Sequence, residues 1–307
     1  MKKEIIPIFF AVDDNYAPFL SVALKSIINK LNDNYQLDVY ILNNGINNEN
    51  IIKLKEYANE NISLSFVDVS EKLNEIGITL PTRDYYSSAI YFRLFISELY
   101  PNLNKVLYLD ADIILLEDIS KLYNHNVDNK YLGVVTDDVV NNNNVFKEYA
   151  KEALGICPPK YFNSGILLMN LELMRKEQLY NKFIDLLSKI KFIIAPDQDY
   201  LNVLCKDKVL YLDEKWNKTP MFTEEDVTPY LIHFKLTSKP WHYDNVKFAS
   251  YFWNIAKETS FYDTILNLKQ NYNEKDILND KKCEEKLIQL AISETYKNDT
   301  YKKIFLN

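Results

Sequence analysis

Short apolar runs with the length of strands alternate with helical patterns along most of this 307-residue chain. In the helical patterns, apolar residues recur three or four positions apart, whereas the runs are continuous and bounded by turn residues. The predicted strands cover residues 5–12, 36–42, 63–69, 106–109, 132–136 and 166–170. The predicted helices between them cover residues 19–31, 51–58, 87–99 and 171–190.

This alternation is typical of an α/β fold in which a mixed, mostly parallel sheet carries helices on both faces. Ligands of such folds bind at the carboxyl ends of the strands, where Asp13, Asp110, Asp137 and Asn170 are expected to lie. These polar residues are therefore the first candidates for a site.

The C-terminal part of the sequence differs from the rest, because no clear strand follows Pro240. Helical patterns continue at residues 246–257, 261–269 and 281–292. We therefore expect one α/β domain over residues 1–265 and a helical C-terminal extension over residues 266–307.

Composition narrows the function classes. Five glycines leave no Gly-rich phosphate loop, and a net charge of −7 argues against a nucleic-acid partner. The apolar N-terminal stretch is too short to cross a bilayer. The three cysteines lack the spacing of metal ligands, which fits free thiols in a reducing cytosol. We expect a cytoplasmic protein. Peripheral association with the inner face of the membrane and the oligomeric state stay open.

Two aspartates one residue apart, Asp110 and Asp112, follow the apolar run that ends at Leu109. Alternate residues of an extended segment point to one side, so both carboxylates can converge on one ligand. Carboxylates that close repel each other, and each resists ionising unless a cation lies between them. The pair predicts a divalent-metal site for a phosphorylated substrate; a solvated turn after a buried strand is the alternative.

A second candidate region lies around His233, which ends another apolar run and precedes Lys239 by six residues. Imidazole combined with two carboxylates favours Mn²⁺ over Ca²⁺, and Mg²⁺ is also compatible. The alternative is a buried histidine whose ring nitrogens are satisfied within the core. The nearby cation of Lys239 favours the ligand interpretation.

Six ordered segments carry a resemblance to a known family. They are residues 10–16 (FAVDDNY), 91–94 (YFRL), 105–112 (KVLYLDAD), 161–170 (YFNSGILLMN), 196–202 (PDQDYLN) and 233–241 (HFKLTSKPW). In this order they resemble the glycosyltransferases of family 8, over roughly residues 5–260. The combination is far more specific than any single segment.

The resemblance implies a GT-A fold, UDP-glucose or UDP-galactose as donor, and a saccharide or glycoconjugate acceptor, as in lipopolysaccharide or polysaccharide biosynthesis. It also implies Mn²⁺ (or Mg²⁺) as cofactor and retention of the anomeric configuration. Carried onto this sequence, it assigns the metal to Asp110, Asp112 and His233, and the uridine to Ala11, Asp13, Asn15 and Tyr16. It assigns the sugar and diphosphate to Arg93, Ala111, Asp137, Asn163, Ser164, Asp197, Gln198 and Lys239.

The chemistry of these residue types agrees with that assignment. Cleavage of the bond between sugar and diphosphate builds negative charge on the leaving group, which Lys239 and a metal can stabilise. Retention by double displacement needs a carboxylate nucleophile, whereas the residue at that position is Gln198, a weak amide. Same-face attack by the acceptor is therefore favoured. A covalent intermediate on Asp197 stays open.

One departure from the family pattern keeps alternatives open. Many family members have glycine three residues after the metal-binding histidine, and here that residue is Leu236. A sugar-nucleotide-binding protein without transfer activity is thus one alternative. An Asp-x-Asp-x-Thr phosphohydrolase is less favoured, because Ile114 occupies the position of the threonine.

Overall fold

A seven-stranded sheet forms the centre of the protein in this computed structural model, which describes residues 3–71, 75, 88–222 and 227–306. The strands are β1 (Glu4–Ala11), β2 (Tyr35–Asn43), β3 (Ile62–Asp68), β4 (Lys105–Leu109), β5 (Ile113–Leu115), β6 (Leu132–Val134), β7 (Ile166–Asn170), β8 (Val209–Tyr211) and β9 (Leu231–His233).

The central sheet has the strand order β3-β2-β1-β4-β7-β6-β8. All neighbouring strands are parallel except β7, which runs antiparallel to both β4 and β6. A separate two-stranded antiparallel ribbon pairs β5 with β9. The mixed, mostly parallel sheet is thus confirmed, whereas β5, β8 and β9 were not predicted as strands.

Helices connect and cover the strands. Within the described residues, the α-helices are α1 (Ala17–Ile28), α2 (Asn48–Lys55), α3 (Ile96–Leu99), α4 (Ile119–Tyr123), α5 (Asp138–Asn142), α6 (Asn144–Glu148), α7 (Leu171–Lys176), α8 (Leu179–Lys189), α9 (Pro196–Cys205), α10 (Ala249–Ala256), α11 (Tyr262–Asn271), α12 (Glu274–Tyr296) and α13 (Tyr301–Phe305). Short 3-10 turns cover Asp14–Tyr16, Ser88–Leu94, Pro158–Lys160 and Glu214–Asn217, and a π-turn covers Tyr149–Ala153.

The core has two halves, one on each face of the sheet. Along β1, Ile8 and Phe10 belong to the half that packs with α1, α10 and α11, whereas Phe9 belongs to the other half. Both faces are buried, which explains why β1 is a continuous apolar run rather than an alternating one. Burial on two faces fixes the register and therefore the position of each strand's carboxyl end.

Two predicted helices differ from the structure. The helix predicted at 87–99 is a 3-10 turn followed by the four-residue α3, and residue 87 lies outside the described residues. The single helix predicted at 171–190 is broken into α7 and α8 by Gln178, whose φ of 56° is left-handed. A left-handed residue cannot continue an α-helix.

The expected position of Asn170 at the ligand-binding edge is wrong. Because β7 is antiparallel to β4, Asn170 pairs with Lys105 and lies at the opposite edge from Asp110. Its side chain instead accepts a hydrogen bond from the backbone of Leu173 and donates one to Val127. Asn170 is therefore a helix cap. The residues that precede β7, rather than those that follow it, reach the other edge.

The C-terminal part of the chain is helical, as expected. Tyr243 and Tyr272 both donate hydrogen bonds to the carboxylate of Asp280 in α12, which ties this helix to the loop after β9. None of the helices in the described ranges has the length and apolarity that a bilayer span requires. The division of the chain at residue 265 stays a prediction.

Candidate active site

Strand pairing brings Asp110, Asp112 and His233 together. Asp110 directly follows β4, and the chain turns at once so that Asp112 precedes β5. In the β5–β9 ribbon, Ile113 is the register partner of His233, which places the imidazole beside the aspartates. One ligand atom from each of the three side chains lies within 4.8 Å of the others. We call these three residues the Asp–Asp–His cluster.

The orientation of the His233 ring fits a metal ligand. Its Nδ1 lies 3.0 Å from Oδ1 of Asn217, an acceptor, so Nδ1 carries the proton and Nε2 keeps its lone pair. That Nε2 faces Asp112 Oδ1 at 3.1 Å and Asp110 Oδ2 at 3.7 Å. Asp112 Oδ1 is buried and makes no hydrogen bond within the described residues. Converging acceptors of this kind need a cation, and the residues present fit one.

Gly165, which directly precedes β7, makes this convergence sterically feasible. A Cβ at Gly165 would lie 2.5 Å from both Asp110 Oδ2 and His233 Cε1. Real Cβ atoms do not approach other atoms so closely, so a side chain would displace two members of the cluster. The backbone carbonyl of Gly165 also accepts a hydrogen bond from the Asp110 amide at 2.7 Å.

A lysine from the loop after β9 completes this side of the site. The ammonium group of Lys239 contacts Oδ2 of Asp112 and lies 5.9 Å from the ring centre of Tyr16. Burial by itself raises the pKa of Asp112, but the ammonium group of Lys239 outweighs it and holds that pKa well below its usual range. Burial and three nearby aspartates, Asp112, Asp110 and Asp13, raise the pKa of Tyr16. Asp112 is therefore a carboxylate at neutral pH, as a metal ligand must be.

Arg93 cross-links the carboxylates on the floor of the site. Its Nη2 lies 3.0 Å from Asp110 Oδ1 and its Nε lies 3.2 Å from Asp197 Oδ2, while the guanidinium stacks over Tyr108 at 4.2 Å. Burial alone lowers the pKa of Arg93, but Asp110 and Asp197 more than reverse this. Arg93 is thus charged and fully engaged, and it orients both aspartates.

On the opposite side, Asp137, Asn163, Ser164 and Gln198 form a hydrogen-bonded group that we call the amide network. The Gln198 Oε1 accepts from the Ser164 amide at 2.9 Å and from Asn163 Nδ2 at 3.0 Å. Asn163 Nδ2 also donates to Asp137 Oδ2 at 3.1 Å. The side-chain amides therefore have fixed orientations before any ligand arrives.

A buried acid supports the amide network from behind. Asp199 is fully buried and accepts hydrogen bonds from the hydroxyls of Tyr149 and Tyr161 at 2.8 and 2.6 Å. Gln198 Nε2 in turn donates to the Tyr161 hydroxyl at 3.2 Å. Burial raises the pKa of Asp199 to about 7 even though these hydrogen bonds oppose it. Burial likewise raises the pKa of Asp197, while Arg93 counteracts it.

The Asp–Asp–His cluster and the amide network line one cavity of about 220 Å³. Of the candidate site residues, those that line it are Ala11, Asp13, Tyr16, Arg93, Asp110, Ala111, Asp112, Asp137, Asn163, Ser164, Asp197, Gln198, His233 and Lys239. Asn15 is exposed in the Asp14–Tyr16 turn and does not line the cavity. The roles assigned to these residues from the family resemblance stay predictions.

Several residues at the site were missed. Asn217 orients His233 and also donates to Asn163 Oδ1 at 2.8 Å. Lys235 pairs with Asp137. Burial alone lowers the pKa of Lys235, but Asp137 and Asp138 outweigh this effect and raise that pKa above its usual value. Gly165 lies in the segment 161–170, and the signal available for it was that the chain has only five glycines.

Solved structures share this fold. The galactosyltransferase LgtC in complex with donor and acceptor sugar analogs has a TM-score of 0.67 and 27% identity, over 83% of this chain and 96% of that one. The bifunctional glycosyltransferase WbbM has a TM-score of 0.75 and 25% identity, over 87% of this chain and about half (52%) of that one. The fold is therefore a GT-A glycosyltransferase fold.

Sequence comparison identifies the family. The glycosyl transferase family 8 model matches residues 7–245. The lipopolysaccharide 1,2-glucosyltransferase of Escherichia coli strain K12 is 32% identical over 281 residues, which cover 84% of this chain and 79% of that protein. The chain belongs to glycosyl transferase family 8.

Proposed function

We propose that this glycosyltransferase moves glucose or galactose from a UDP-sugar to a saccharide or glycoconjugate acceptor, with the help of Mn²⁺ or Mg²⁺ and with retention of configuration. The observation that carries the proposal is the convergence of Asp110, Asp112 and His233 in a cavity that Lys239 also lines. Family relatives include a lipopolysaccharide glucosyltransferase, which supports a saccharide acceptor built on a glycolipid.

The leaving group would be handled at the Asp–Asp–His cluster. A divalent cation bound there would offset the charge that builds on the departing diphosphate. Lys239 supplies a fixed positive charge beside the same carboxylates and would contact the diphosphate as the bond breaks. Arg93 keeps Asp110 in place through its 3.0 Å ion pair.

The sugar would lie against the amide network. Asp137 and Asn163 offer polar atoms at the cavity surface, and the hydrogen bond between them holds them in one arrangement. Such preorganisation lowers the entropic cost of fixing the ring near the attacking group. Asp197, buried beside Arg93, would face the positive charge that develops on the anomeric carbon.

Same-face attack is the mechanism that these contacts favour. A double displacement needs a free carboxylate on the far face of the sugar. Gln198 Oε1 already accepts hydrogen bonds from Asn163 and Ser164, and Asp197 Oδ2 is engaged by Arg93 and by the Ser164 hydroxyl at 2.9 Å. Neither oxygen is an uncommitted nucleophile, so the acceptor would attack from the side of the leaving diphosphate, which would take its proton.

A donor titration tests the proposal. Calorimetry with UDP-glucose and UDP-galactose, with Mn²⁺ and then with a chelator, is expected to show metal-dependent binding and slow donor hydrolysis. Binding without turnover over a range of saccharide acceptors would favour an inactive binding protein, and phosphate release from simple phosphoesters would favour a hydrolase. Absence of binding to either donor in Mn²⁺ would refute the proposal.

The variant Asp112→Asn tests the metal site. It removes one ligand charge, and we expect donor turnover to fall roughly 100- to 1,000-fold, because charge on the leaving group loses its main stabilisation. The control is Asp128→Asn, since Asp128 is exposed and its side chain accepts a hydrogen bond from Asn126 far from the cluster. Full donor turnover by Asp112→Asn would remove the metal from the mechanism.

A further inference from the structure

Lys235 is a buried cation in the wall of the cavity. Neither the metal assignment nor the diphosphate assignment gives this residue a role. It lies two residues after His233, and only 9% of its surface is exposed. Its ammonium nitrogen lies 3.1 Å from Asp137 Oδ2 and 2.7 Å from Asp138 Oδ1. Lys235 and Asp137 line the cavity, whereas Asp138 does not.

The two carboxylates hold Lys235 differently. Asp138 is an outer anchor, whose other oxygen accepts a hydrogen bond from the Thr219 hydroxyl. Asp137 is the inner partner, and its Oδ2 also receives hydrogen bonds from Asn163 at 3.1 Å and from Gln198 at 3.4 Å. Burying a charged triad costs stability compared with apolar side chains of similar volume, so packing alone does not account for it.

The pair of Lys235 and Asp137 matches one kind of ligand group. The ammonium group of Lys235 has three protons, and its contacts with Asp137 and Asp138 use two of them, so one proton can be donated to a ligand. The carboxylate of Asp137 can only accept a hydrogen bond. A donor and an acceptor 3.1 Å apart at a cavity surface suit a hydroxyl, because a hydroxyl accepts from one and donates to the other. A sugar ring carries such groups at fixed angles.

We propose that Lys235 is a specificity-determining residue that, together with Asp137, recognises one hydroxyl of the donor hexose. This inference rests on the proposed UDP-hexose donor. It deepens that proposal, because it states that Lys235 and Asp137 together recognise the hydroxyl at a single position of the sugar ring. Asp138 is the anchor that keeps Lys235 at the cavity wall.

The test compares donors rather than activities. Calorimetry in Mn²⁺ measures the affinity of the wild-type protein for UDP-glucose, UDP-galactose and the 2-, 3-, 4- and 6-deoxy analogues of the donor that binds more tightly. We expect one deoxy analogue to bind roughly 10- to 100-fold more weakly, because it can make neither of these two hydrogen bonds. In Lys235→Met, the penalty at that position is expected to shrink at least about fivefold, with the other penalties unchanged.

Two further variants separate recognition from support of the fold. Lys218→Met removes a lysine whose ion pair with Glu214 lies outside the cavity lining, and it should leave every deoxy penalty as in the wild type. Asp138→Asn loosens the anchor and should lower the same single penalty, but by less than Lys235→Met. Melting curves show whether each variant folds.

The outcomes are distinct. Uniform weakening of all donors by Lys235→Met, or unchanged penalties, would show that Lys235 only supports the wall and would overturn the inference while leaving the donor proposal intact. If the wild-type protein binds neither parent donor, the proposed function itself is wrong, and the inference is overturned with it.

Discussion

The two sides of the cavity differ in how completely their polar atoms are satisfied. In the Asp–Asp–His cluster, Nε2 of His233 lies 3.1 Å from Oδ1 of Asp112, and that buried oxygen makes no hydrogen bond within the described residues. In the amide network, Gln198 Oε1 and Asp137 Oδ2 each have three donors within the described residues. One side needs a cation to satisfy its converging acceptors, whereas the atoms of the other already hold one another in place and offer a ligand a rigid surface.

This difference teaches how each side would respond to mutation. A change in the Asp–Asp–His cluster should act on metal affinity directly, because few other contacts compensate for a lost ligand. A change in the amide network should be partly absorbed, because each atom has several partners. The following variants test that contrast, from the largest expected effect to the smallest.

Gly165→Ala should have the largest effect on the cluster. The added methyl group would lie 2.5 Å from Asp110 Oδ2 and His233 Cε1, so both ligands must move. We expect Mn²⁺ affinity, measured by calorimetry, to fall at least about 100-fold. The control is Gly133→Ala, which crowds Leu168 Cβ at 3.2 Å inside the sheet and should affect stability without affecting Mn²⁺ affinity. Equal Mn²⁺ affinities would mean that the cluster does not bind metal as proposed.

Asn217→Ala should weaken the cluster indirectly. Without the Asn217 oxygen, the proton on His233 Nδ1 loses its acceptor, and the ring is free to rotate or change tautomer. We expect a 10- to 100-fold loss of Mn²⁺ affinity, roughly the effect typical of outer partners of metal ligands. Asn217→Asp keeps an acceptor at the same place and should largely preserve affinity. If both variants behave alike, the hydrogen bond does not orient the ring.

The residues of the cavity also show which features can be predicted from the sequence and which cannot. Asp110 and Asp112 were predictable because they follow a buried strand, and local spacing determines where they point. Asn217 and Lys235 were not, because their roles depend on pairings between distant segments. His233 reaches the aspartates only through the β5–β9 ribbon, whose strands are too short for a periodic pattern. Asn170 failed for a related reason, since strand direction is not written in its local sequence.

Asp199→Asn tests the acid behind the amide network through the pH dependence of stability. Burial raises the folded-state pKa of Asp199 from 3.8 to about 7. Folding therefore favours the protonated form, and the stability that Asp199 contributes at low pH is lost as pH rises towards 7. Between pH 5 and pH 8, urea unfolding should show that the wild-type protein loses on the order of 2 kcal/mol more than Asp199→Asn. Parallel pH profiles would show that Asp199 is already ionised at pH 5.

Leu236→Gly should have the smallest effect and concerns the loop between the two sides. Leu236 has a left-handed φ of 53° and lines the cavity, where many family members have glycine. Relief of this conformation, less the added entropy of the unfolded glycine, should stabilise the protein by about 0.5–1 kcal/mol in urea unfolding. Gln178→Gly is the matched control, because Gln178 has a φ of 56° but lies outside the cavity lining. If backbone approach to the diphosphate matters, only Leu236→Gly will also tighten UDP-sugar binding; equal donor affinities in both variants would mean that the Leu236 side chain does not hinder the donor.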